Sequence, residues 1–589
     1  MEYRLYELKK GFNSILNVTE NCDITYPAYS AEKTLNDRFF LQKRKGLTEI
    51  VDLGSDVLDT GTYESSTESE DLALTTTDLF VYGIGVSTSS VGTSYSDAKM
   101  FSVTGPVNGV KEGGTATGGD NPVGSVQAYL EDTSQSWTTD EWAGYYIWLF
   151  DETTNPAGAG QIVYISGNDA TKIYVEGWTN GNNPQAGTEY SIYDSLGSTV
   201  LVSSQSEGKI WVYDGDGLKE VKTLVPFNDV EIHDGRLFGI SADNPNIVWY
   251  TEAGQYFLFD KNVVTGSDDV RNITKLGEYV VVGRADSLAV LNRFLTGSTE
   301  DSGVTINTYD YVITEITAGI GVYDERSVYS WQGGYYFVAD NRHIYSLSIS
   351  SSNDALIGIV NNLSTEYLGA YINFFSEPPI FINIIATYNE IQFIYTFSTT
   401  SIAFRYNTDY QGWLVDRYSS SPLRSAKLNL DNVIVFGYST SVTYQGGDDD
   451  LGESFEQKVG FLFGYEDAAS YKYVSKVRIL FEYQQTDLAT FEASVLGNYK
   501  KQIVRRKIGV NYSSAFGALG NPIIGTEQLG SWNESPYYSP IFIQTVNMGT
   551  HGNFHQFILT DEGNGFKIGD IVVIYRTESP LINSNRTSI

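Results

Sequence analysis

The sequence predicts an all-β protein: a six-bladed β-propeller with an inserted small β-barrel domain and a C-terminal β-sandwich. Aromatic residues make up 14% of the chain, with 43 Tyr and only 3 Met, a mixture typical of β-sheets. Short apolar and β-branched runs alternate with Gly, Asp, Asn and Pro, and none has the spacing or length of a helix. At 589 residues, the chain is long enough for several domains.

The clearest repeat lies between Asp229 and Asn292. Tight turns there introduce paired strands, Leu237–Ile240 with Ile247–Tyr250 and Tyr279–Val282 with Leu288–Leu291. Similar units begin near residues 200, 237, 279, 335, 391 and 433, so successive steps range from 37 to 56 residues. A four-stranded propeller blade takes about 40–50 residues, which favours a propeller. A long β-sandwich with irregular hairpins is the alternative.

Changes in composition predict the domain boundaries. Residues 1–75 form an N-terminal segment of short strands, and the propeller occupies residues 76–110 and 197–450. Residues 111–196 carry their own apolar bulk, including Trp137, Trp142 and Trp178, and predict a small β-barrel inserted into a propeller loop. Residues 451–580 contain alternating strand patterns that predict a β-sandwich, and 581–589 form a disordered tail.

The net charge is strongly negative. The chain has 72 acidic and 38 basic residues, a formal net charge of −34. Such a surface repels nucleic acid and anionic membranes, which argues against a protein that grips the DNA backbone. Solubility alone would explain the acidity, but an acidic wall would also let DNA slide past without sticking.

The cysteine content and the lack of long apolar runs indicate in which cellular compartment the protein is made. Cys22 is the single cysteine, so a disulfide within the chain is excluded and we expect a small buried hydrophobe. The N-terminus has no apolar signal core, and no apolar run approaches membrane-spanning length. We therefore expect synthesis and retention in a reducing cytoplasm, unless the protein leaves as part of a particle.

The densest basic cluster lies in the C-terminal region, at Lys500, Lys501, Arg505, Arg506 and Lys507. A solvated strand face is the ordinary explanation for such a cluster. The functional alternative is contact with an acidic neighbouring subunit, which makes these five residues the candidate subunit interface.

The chain resembles the tail nozzle or tail-tube proteins of short-tailed bacteriophages over about three quarters of its length. The resemblance rests on the order of parts, from an N-terminal segment ending in FFLQKRKGLTEI to the closing sandwich, and on the blade text DGRLFGISADNPNIVWYTEAG and KLGEYVVVGRADSLAVLNR. The inserted SWTTDEWAGYYIWLF resembles a small domain found in phage tail proteins.

This resemblance implies a structural protein of the virion. It implies a homo-oligomeric ring, commonly a hexamer, below a portal and adaptor and in contact with other tail proteins. Genomic DNA would pass through its acidic lumen during ejection without specific binding. The resemblance carries no catalytic residue and no cofactor, so we expect the protein not to be an enzyme.

Few residues suggest metal or catalytic chemistry. The four histidines are His233, His343, His551 and His555, and none lies in a zinc-binding or metalloprotease pattern. Three acidic clusters could supply oxygen ligands to a structural calcium ion, although Asp-Gly pairs are also ordinary turn formers. These clusters are Asp214–Gly217, Asp448–Asp450 and Asp561–Gly565.

The main rival function is a propeller that binds or hydrolyses glycans as a receptor protein. Asp and Glu abound in the predicted propeller loops, and a retaining glycosidase needs two carboxyls about 5–5.5 Å apart. Trp331 and Trp413 are candidates to stack on sugars, although aromatic residues more often fill the space between blades.

Overall fold

A computed structural model describes most of the chain, and the described residues form 46 strands and one short helix. The described residues are 2–6, 17–20, 22–25, 40–43, 46–83, 86–90, 97–121, 127–151, 160–178, 183–221, 226–254, 257–259, 261–266, 268–301, 304–352, 355–365, 368–373, 375–408, 412–418, 422–447, 450–451, 457–463, 471–482, 489–497, 500–508, 541–552, 554–561 and 567–578.

The strands of the N-terminal half include two blades and the inserted domain. Five strands come first: β1 (Glu2–Tyr6), β2 (Asn17–Glu20), β3 (Cys22–Thr25), β4 (Phe40–Lys43) and β5 (Gly46–Asp52). Blade 1 consists of β6 (Val57–Glu64), β7 (Ser69–Thr75), β8 (Leu79–Gly83) and β9 (Val86–Ser90). Blade 2 begins with β10 (Lys99–Val107). The inserted domain follows, with β11 (Glu112–Thr115), β12 (Gly118–Asp120), β13 (Ala128–Glu131), β14 (Tyr146–Asp151), β15 (Ile162–Asn168), β16 (Lys172–Val175) and β17 (Glu189–Tyr193). Blade 2 then continues with β18 (Ser195–Ser204), β19 (Lys209–Tyr213) and β20 (Leu218–Val221).

Five further blades follow. Blade 3 consists of β21 (Phe227–His233), β22 (Arg236–Ser241), β23 (Ile247–Tyr250) and β24 (Lys261–Val264). Blade 4 consists of β25 (Val270–Leu276), β26 (Tyr279–Arg284), β27 (Ser287–Asp301) and β28 (Val304–Ala318). Blade 5 consists of β29 (Val328–Trp331), β30 (Gly334–Val338), β31 (Ile344–Ser352) and β32 (Ala355–Asn362), and helix α1 (Gly369–Asn373) follows it. Blade 6 consists of β33 (Phe381–Ala386), β34 (Glu390–Thr396), β35 (Ser401–Asn407) and β36 (Gly412–Tyr418). Blade 7 contains β37 (Leu423–Leu428), β38 (Ile434–Tyr438) and β39 (Ser441–Gly447).

The C-terminal region supplies the last strands, which are β40 (Gln457–Phe463), β41 (Tyr471–Glu482), β42 (Ala489–Gly497), β43 (Lys500–Ile508), β44 (Ile541–Gly552), β45 (Phe554–Asp561) and β46 (Lys567–Glu578).

The blades close into a ring. The first strand of each blade, here called its inner strand, contacts the inner strands of both neighbours, in the order β6, β10, β21, β25, β29, β33, β37 and back to β6. The outermost strand of blade 7 is β5, from the beginning of the chain, which pairs antiparallel with β39. The N-terminal strand therefore closes the propeller.

The predicted all-β propeller is confirmed, and the ring has seven blades where the strand spacing indicated six. One blade was hidden from the sequence pattern and another was incomplete, because the predicted unit near residue 200 is blade 2 without its first strand. Blade 1 lies before the repeat begins, and the inserted domain separates the first strand of blade 2 from the other three. The propeller also takes in residues 46–75, which the sequence pattern assigned to the N-terminal segment.

Apolar clusters between neighbouring blades form the core. Successive side chains of a strand point to opposite faces, so one strand serves two clusters. In β26, Val280 and Val282 pack toward blade 3, whereas Val281 packs toward blade 5. Comparable clusters lie at every junction of the ring. Each blade thus depends on both neighbours for its buried surface.

The two faces of the ring differ. Inner strands begin at what we call the front face and end at the back face. The inserted domain leaves the end of β10 and returns at the start of β18, so it is attached at the back face. The chain also enters β5 and leaves β39 at this face. The front face therefore carries neither the inserted domain nor these two connections.

The inserted domain is one curved sheet with the order β11-β17-β14-β15-β16-β13-β12. Its inner face encloses a core that includes the predicted residues Trp137 and Trp178 together with Ile147. The other face of β14 contacts the propeller, where the fully buried Trp148 lies 5.6 Å from the ring of Phe257 and 6.1 Å from that of Tyr193.

The N-terminal strands pair with strands of the C-terminal region in two sheets. A six-stranded sheet contains β3, β4, β46, β41 and β44, with β1 paired to β46. A nine-stranded sheet continues blade 6 outward, because β36 pairs with β2 and β2 pairs with β40, followed by β45, β42 and β43. The propeller and the C-terminal region thus share a continuous sheet.

Replacing Trp148 should loosen the inserted domain without unfolding the ring. We expect Trp148→Ala to weaken this contact by roughly 3–5 kcal/mol, the range for large buried aromatic side chains. Limited proteolysis should then cut faster within residues 108–194. Tyr164→Ala is the matched control, because Tyr164 is 50% exposed on the same domain. Equal cleavage of wild type and Trp148→Ala would contradict this docking contact.

Candidate functional site

Four inner strands begin with the same irregularity. The pairing register shifts between Val57 and Asp59, and equivalent shifts occur at the starts of β21, β25 and β37. An irregularity of this kind bends a strand and redirects the side chains around it. The third residue of each of these strands is short, polar and buried: Asp59, Asp229, Asn272 and Ser425. Asn383 is also the third residue of its strand, β33, and Lys99 is the first residue of β10.

These side chains and their neighbours connect every pair of adjacent inner strands near the front face. Three carboxylates accept from a backbone N–H of the next blade: Asp59 from Met100 N (3.1 Å), Asp229 from Ile273 N (2.9 Å) and Asp324 from Ile382 N (3.1 Å). Three side chains donate to a backbone carbonyl of the next blade: Lys99 Nζ to Asn228 O (3.5 Å), Asn272 Nδ2 to Glu325 O (3.0 Å) and Asn383 Nδ2 to Arg424 O (3.4 Å). Between blades 7 and 1, Ser425 Oγ lies 3.3 Å from Thr60 Oγ1. A ring of polar contacts thus supplements the apolar packing between blades.

Three long basic side chains also reach between non-adjacent blades. We call Lys99, Arg326 and Lys427 the axial cations. Lys99 of blade 2 pairs with Glu325 at the start of blade 5 (2.8 Å). Lys427 of blade 7 donates to Met100 O of blade 2 (3.1 Å) and pairs with Asp59 (3.2 Å).

Arg326 makes the third connection, from blade 5 to blades 7 and 1. Its Nη1 donates to Arg424 O (2.7 Å), and its Nη2 lies 3.5 Å from Leu58 O. Contacts that skip blades must cross the middle of the ring. The axial cations therefore occupy the propeller axis near its front face.

Burial and these cations set the protonation of the axial carboxylates. Burial alone would raise the pKa of Asp59, but Lys427 and Arg326 more than offset it, so the pKa lies below its usual value. The pKa of Glu325 is lowered in the same way, by Lys99 against the effect of burial. Asp229 has no ion pair among the described residues, and burial raises its pKa well above the usual range. Burial also raises the pKa of Asp324 to about 7.

A cavity of about 350 Å³ lies on the axis beside these groups. Its volume falls within the range of small-molecule sites, about 300–1,000 Å³. Its charged lining residues are Asp59, Asp229, Glu325, Lys99, Arg326 and Lys427, three of each sign. All six side chains form hydrogen bonds or ion pairs within the protein. This arrangement holds blades together, and its equal numbers of acidic and basic residues contrast with the strong acidity of the whole chain.

The outer part of the front face is acidic. In blades 1–5, the turn between the second and third strands carries one acidic residue, and Arg342 is the single Arg or Lys in those turns. The five acidic residues are Asp78, Glu207, Asp243, Asp286 and Asp340. Asp268 and Asp269, between blades 3 and 4, lie exposed on the same face. The negative charge therefore follows a repeated position of the fold.

The predicted subunit-interface residues Lys500, Lys501, Arg505, Arg506 and Lys507 all lie on β43. This strand pairs with β42 and is the terminal strand of the nine-stranded sheet within the described part of the chain. The structure thus places the basic cluster on one strand, at the opposite end of this sheet from the inner strand β33. Its role as an interface stays a prediction.

The candidate calcium clusters take part in turns where they are described. Asp214 is fully buried and accepts from Tyr193 Oη (3.1 Å) and from Asp216 N and Gly217 N. Asp450 accepts from Leu47 N (3.1 Å). Residues 448–449 and 562–565 lie outside the described residues. No group of three or more His, Cys, Asp or Glu suited to a metal ion occurs among the residues described.

The histidines and tryptophans singled out from the sequence lie apart from the axis. His555 is buried in β45 and His551 is exposed in β44, whereas His233 and His343 lie beside turns of blades 3 and 5. His233 Nε2 lies 3.0 Å from Glu278 O. Trp413 is buried between blades 5 and 6, and Trp331 packs at the edge of that cluster. Trp413 thus fills space between blades and is not available to stack on a sugar.

Comparison with known proteins gives similarity of structure alone. No family model matches the sequence, and no curated protein gives a significant match. The Dos1 propeller is similar with a TM-score of 0.31 and 9% identity over 70% of this chain and 97% of that one. BBS1N, solved in complex with ARL6DN, has a TM-score of 0.27 and 10% identity over 54% and 98%. Hsv2 of Kluyveromyces lactis has a TM-score of 0.26 and 11% identity over 62% and 98%.

All three TM-scores are low, so the propeller assignment rests on the strand pairing of this chain itself. The resemblance to phage tail nozzle proteins stays a prediction. None of the helices in the described ranges is long and apolar enough to cross a membrane.

Removing one axial cation should destabilise the ring. We expect Lys427→Met to lower the free energy of unfolding by about 2–3 kcal/mol, less than for a fully buried pair because Lys427 is partly exposed. The loss arises because Asp59 is left as an unpaired buried charge. Urea unfolding followed by tryptophan fluorescence measures it. Asp59→Asn combined with Lys427→Met should be less destabilised than Lys427→Met alone, and a larger loss in the double variant would contradict the pairing.

Asp324 should make the stability of the ring depend on pH. Its folded pKa of about 7 exceeds the unfolded value of about 3.9, so protonation favours the folded state. This contribution is complete below about pH 4 and is lost as the pH rises to about 7. The melting temperature of the wild type should therefore fall more between pH 4 and 7 than that of Asp324→Asn. Asp243→Asn, an exposed change on the same face, should follow the wild type. Parallel curves for wild type and Asp324→Asn would contradict the assignment.

Proposed function

We propose that this protein is a structural subunit of a bacteriophage tail, one copy in a homo-oligomeric nozzle ring through which genomic DNA passes during ejection. The observation that carries this proposal is the continuous sheet from blade 6 through β2 into the C-terminal region. Both ends of the described chain join there, because β1 pairs with β46 and β2 pairs with β40. The resemblance of the part order to nozzle proteins supports the same function.

A shared sheet suits a part that must withstand force. Separating the C-terminal region from the propeller would break the parallel pairing of β2 with β36, in which Glu20 lies opposite Val415. Flexible linkers between domains would allow relative motion instead. The pairing of the N-terminal strands with the C-terminal region therefore supports a structural subunit in which the propeller and the C-terminal region move together.

The DNA path in this proposal lies between subunits and not along the propeller axis. The axial cations cross that axis, and its lining has as many basic as acidic residues. The negative charge resides elsewhere, with a net value of −34 per copy. An acidic wall keeps phosphates from binding, whereas a basic wall would hold DNA through the release of counterions.

The proposal predicts a ring that does not retain DNA. Electron microscopy and native mass spectrometry of the full chain, with its subunit mass of 65.3 kDa, should show a closed oligomer of uniform copy number. A duplex DNA probe should not be retained even at about 10 mM salt, where contacts to phosphates are strongest. A basic protein of similar size serves as the positive control for retention.

Two results would contradict the proposal. One is a protein that stays monomeric at micromolar concentration and is absent from purified virions. The other is tight DNA retention that weakens steeply with salt. A monomer that binds a host polysaccharide and loses this binding on Asp229→Asn would favour the rival glycan-binding function, because Asp229 lines the axial cavity.

A further inference from the structure

The axial cavity is lined by six of the seven blades. Its lining residues lie on, or directly before, the inner strands of blades 1, 2, 3, 5, 6 and 7. A second cavity, of about 510 Å³, is lined mainly by residues at or just before the starts of inner strands, so it lies at the front face. The two cavities share Lys99, Glu325 and Arg326. These three side chains therefore separate the axial cavity from the front face.

Arg326 and Asn383 form a polar end of the axial cavity. Arg326 Nη1 donates to Arg424 O (2.7 Å) and Asn383 Nδ2 donates to the same oxygen (3.4 Å), so the two side chains lie side by side. Lys99 and Lys427 each form an ion pair with a carboxylate, whereas Arg326 forms none within the described residues. A guanidinium has five N–H donors, and the two carbonyls that Arg326 contacts do not use all of them. Arg326 can therefore bind an anion.

Two neutral groups of the lining also have unused hydrogen-bonding capacity. Asn383 is only 6% exposed, and its Oδ1 has no hydrogen-bond partner in the described part of the chain. Tyr329 is partly buried, and its Oη likewise has no partner among the residues described. Burial raises the pKa of Tyr329, so its hydroxyl stays protonated. Buried polar groups normally have a partner, and these two point to a polar molecule in the cavity.

The part of the cavity farther from the front face is apolar. Inner strands begin at the front face, so residues later in each strand lie deeper. The deeper lining includes Phe101, Val328, Ile384, Ile385 and Leu428. The cavity therefore has a charged end toward the front face and an apolar end beyond it.

The state of Asp229 leaves the positive charge of Arg326 unbalanced. Asp229 accepts from Val230 N and Ile273 N (2.9 Å each) and has no ion pair within the described ranges. Burial raises its pKa well above the usual range, which favours the neutral acid. The lining thus carries more positive than negative charge, in a protein whose net charge is −34.

We propose that the axial cavity binds a small organic acid that combines a carboxylate, an apolar body and a hydroxyl or N–H group. The carboxylate binds Arg326, because the planar fork of a guanidinium matches its two oxygens. The apolar body packs against the deeper lining, and the hydroxyl or N–H group donates to Asn383 Oδ1. A cavity of about 350 Å³ is at the lower end of small-molecule sites, which limits the ligand to a compact acid.

This inference does not rest on the proposed nozzle ring, because one subunit contains the whole cavity. The ligand would contact strands of several blades at once. A molecule that binds only the folded protein stabilises it by mass action. The acid would therefore act as a removable connection across the centre of the propeller.

The probe for the test is 4-hydroxybenzoate, which carries all three groups. Titration calorimetry of the full chain with up to about 10 mM probe detects dissociation constants in the millimolar range. We expect binding, together with a rise in melting temperature. The amide 4-hydroxybenzamide has the same size without the charge, and acetate has the charge without the apolar body. Each should bind at least about 10-fold more weakly.

Two variants test the cavity from different sides. Arg326→Met should weaken binding of 4-hydroxybenzoate at least about 10-fold by removing the charge-assisted hydrogen bonds, and Arg326→Lys should restore part of it. Gly61→Val keeps every charge and should also weaken binding, because it adds bulk beside a lining side chain. A Cβ at Gly61 would lie 3.4 Å from Met100 Cε, an ordinary contact.

Arg271→Met is the matched control. Arg271 Nη1 donates to Val322 O (2.7 Å) and Tyr323 O (2.8 Å), so it connects blades through backbone carbonyls as Arg326 does. Arg271 lines neither cavity. Its replacement should leave binding of 4-hydroxybenzoate unchanged. Equal losses in Arg271→Met and Arg326→Met would show a general effect of stability and would overturn the proposal.

Circular dichroism establishes that each variant folds, and if Arg326→Met does not fold, Gly61→Val still tests the site. The proposal is overturned if 4-hydroxybenzoate does not bind, if the amide binds as well as the acid, or if Gly61→Val binds like the wild type. Binding of glucose without binding of 4-hydroxybenzoate would also overturn it and would favour the rival glycan-binding function. A protein that binds the probe but forms no ring would refute the nozzle proposal and support this one.

Discussion

Closing a ring of seven separate sheets is the constraint on which this structure depends. Each blade buries its apolar side chains only against its two neighbours, so a gap anywhere would expose two blades at once. Polar contacts near the front face fix the spacing of the inner strands. They join each blade to the next, beginning with Asp59 and Met100 N and ending with Ser425 and Thr60. The axial cations add contacts between blades that are not adjacent. Hydrophobic burial therefore holds neighbouring blades together, while buried charges define the geometry at the centre.

The sequence predicted the blades whose apolar runs repeat, but it did not predict features that depend on one contact between distant residues. Blades 2–7 are visible as paired apolar runs, because their second and third strands are largely buried. The insertion of residues 108–194 separates the first strand of blade 2 from the other three, and β5 lies nearly four hundred residues before the strand that it pairs with. No local pattern can show such a pairing. Trp137 and Trp178 lie in the core of the inserted domain as expected and Trp142 packs against it, whereas the sequence did not show that Trp148 forms the contact with the propeller.

The axial site could not be predicted for a different reason. The residues at the third position of the inner strands share size and polarity but not identity, since Asp229, Asn272 and Ser425 occupy equivalent places. A search for motifs does not detect such a set. When the inner strands are aligned at the register shifts near their first residues, a buried polar residue occupies the third position of each aligned strand. Lys99 and Glu325 come together only because blades 2 and 5 face each other across the ring.

The closing strand also has a consequence for biosynthesis. β5 leaves the ribosome early, yet its partner β39 follows only after six blades and the inserted domain have been made. Until then β5 has an unpaired backbone, and blade 7 cannot be completed. Contacts between residues so distant in sequence form late and slow folding, and open strand edges favour aggregation meanwhile. A chain that stopped before residue 441 would lack β39, so blade 7 would be incomplete and the unpaired strand edges would favour aggregation.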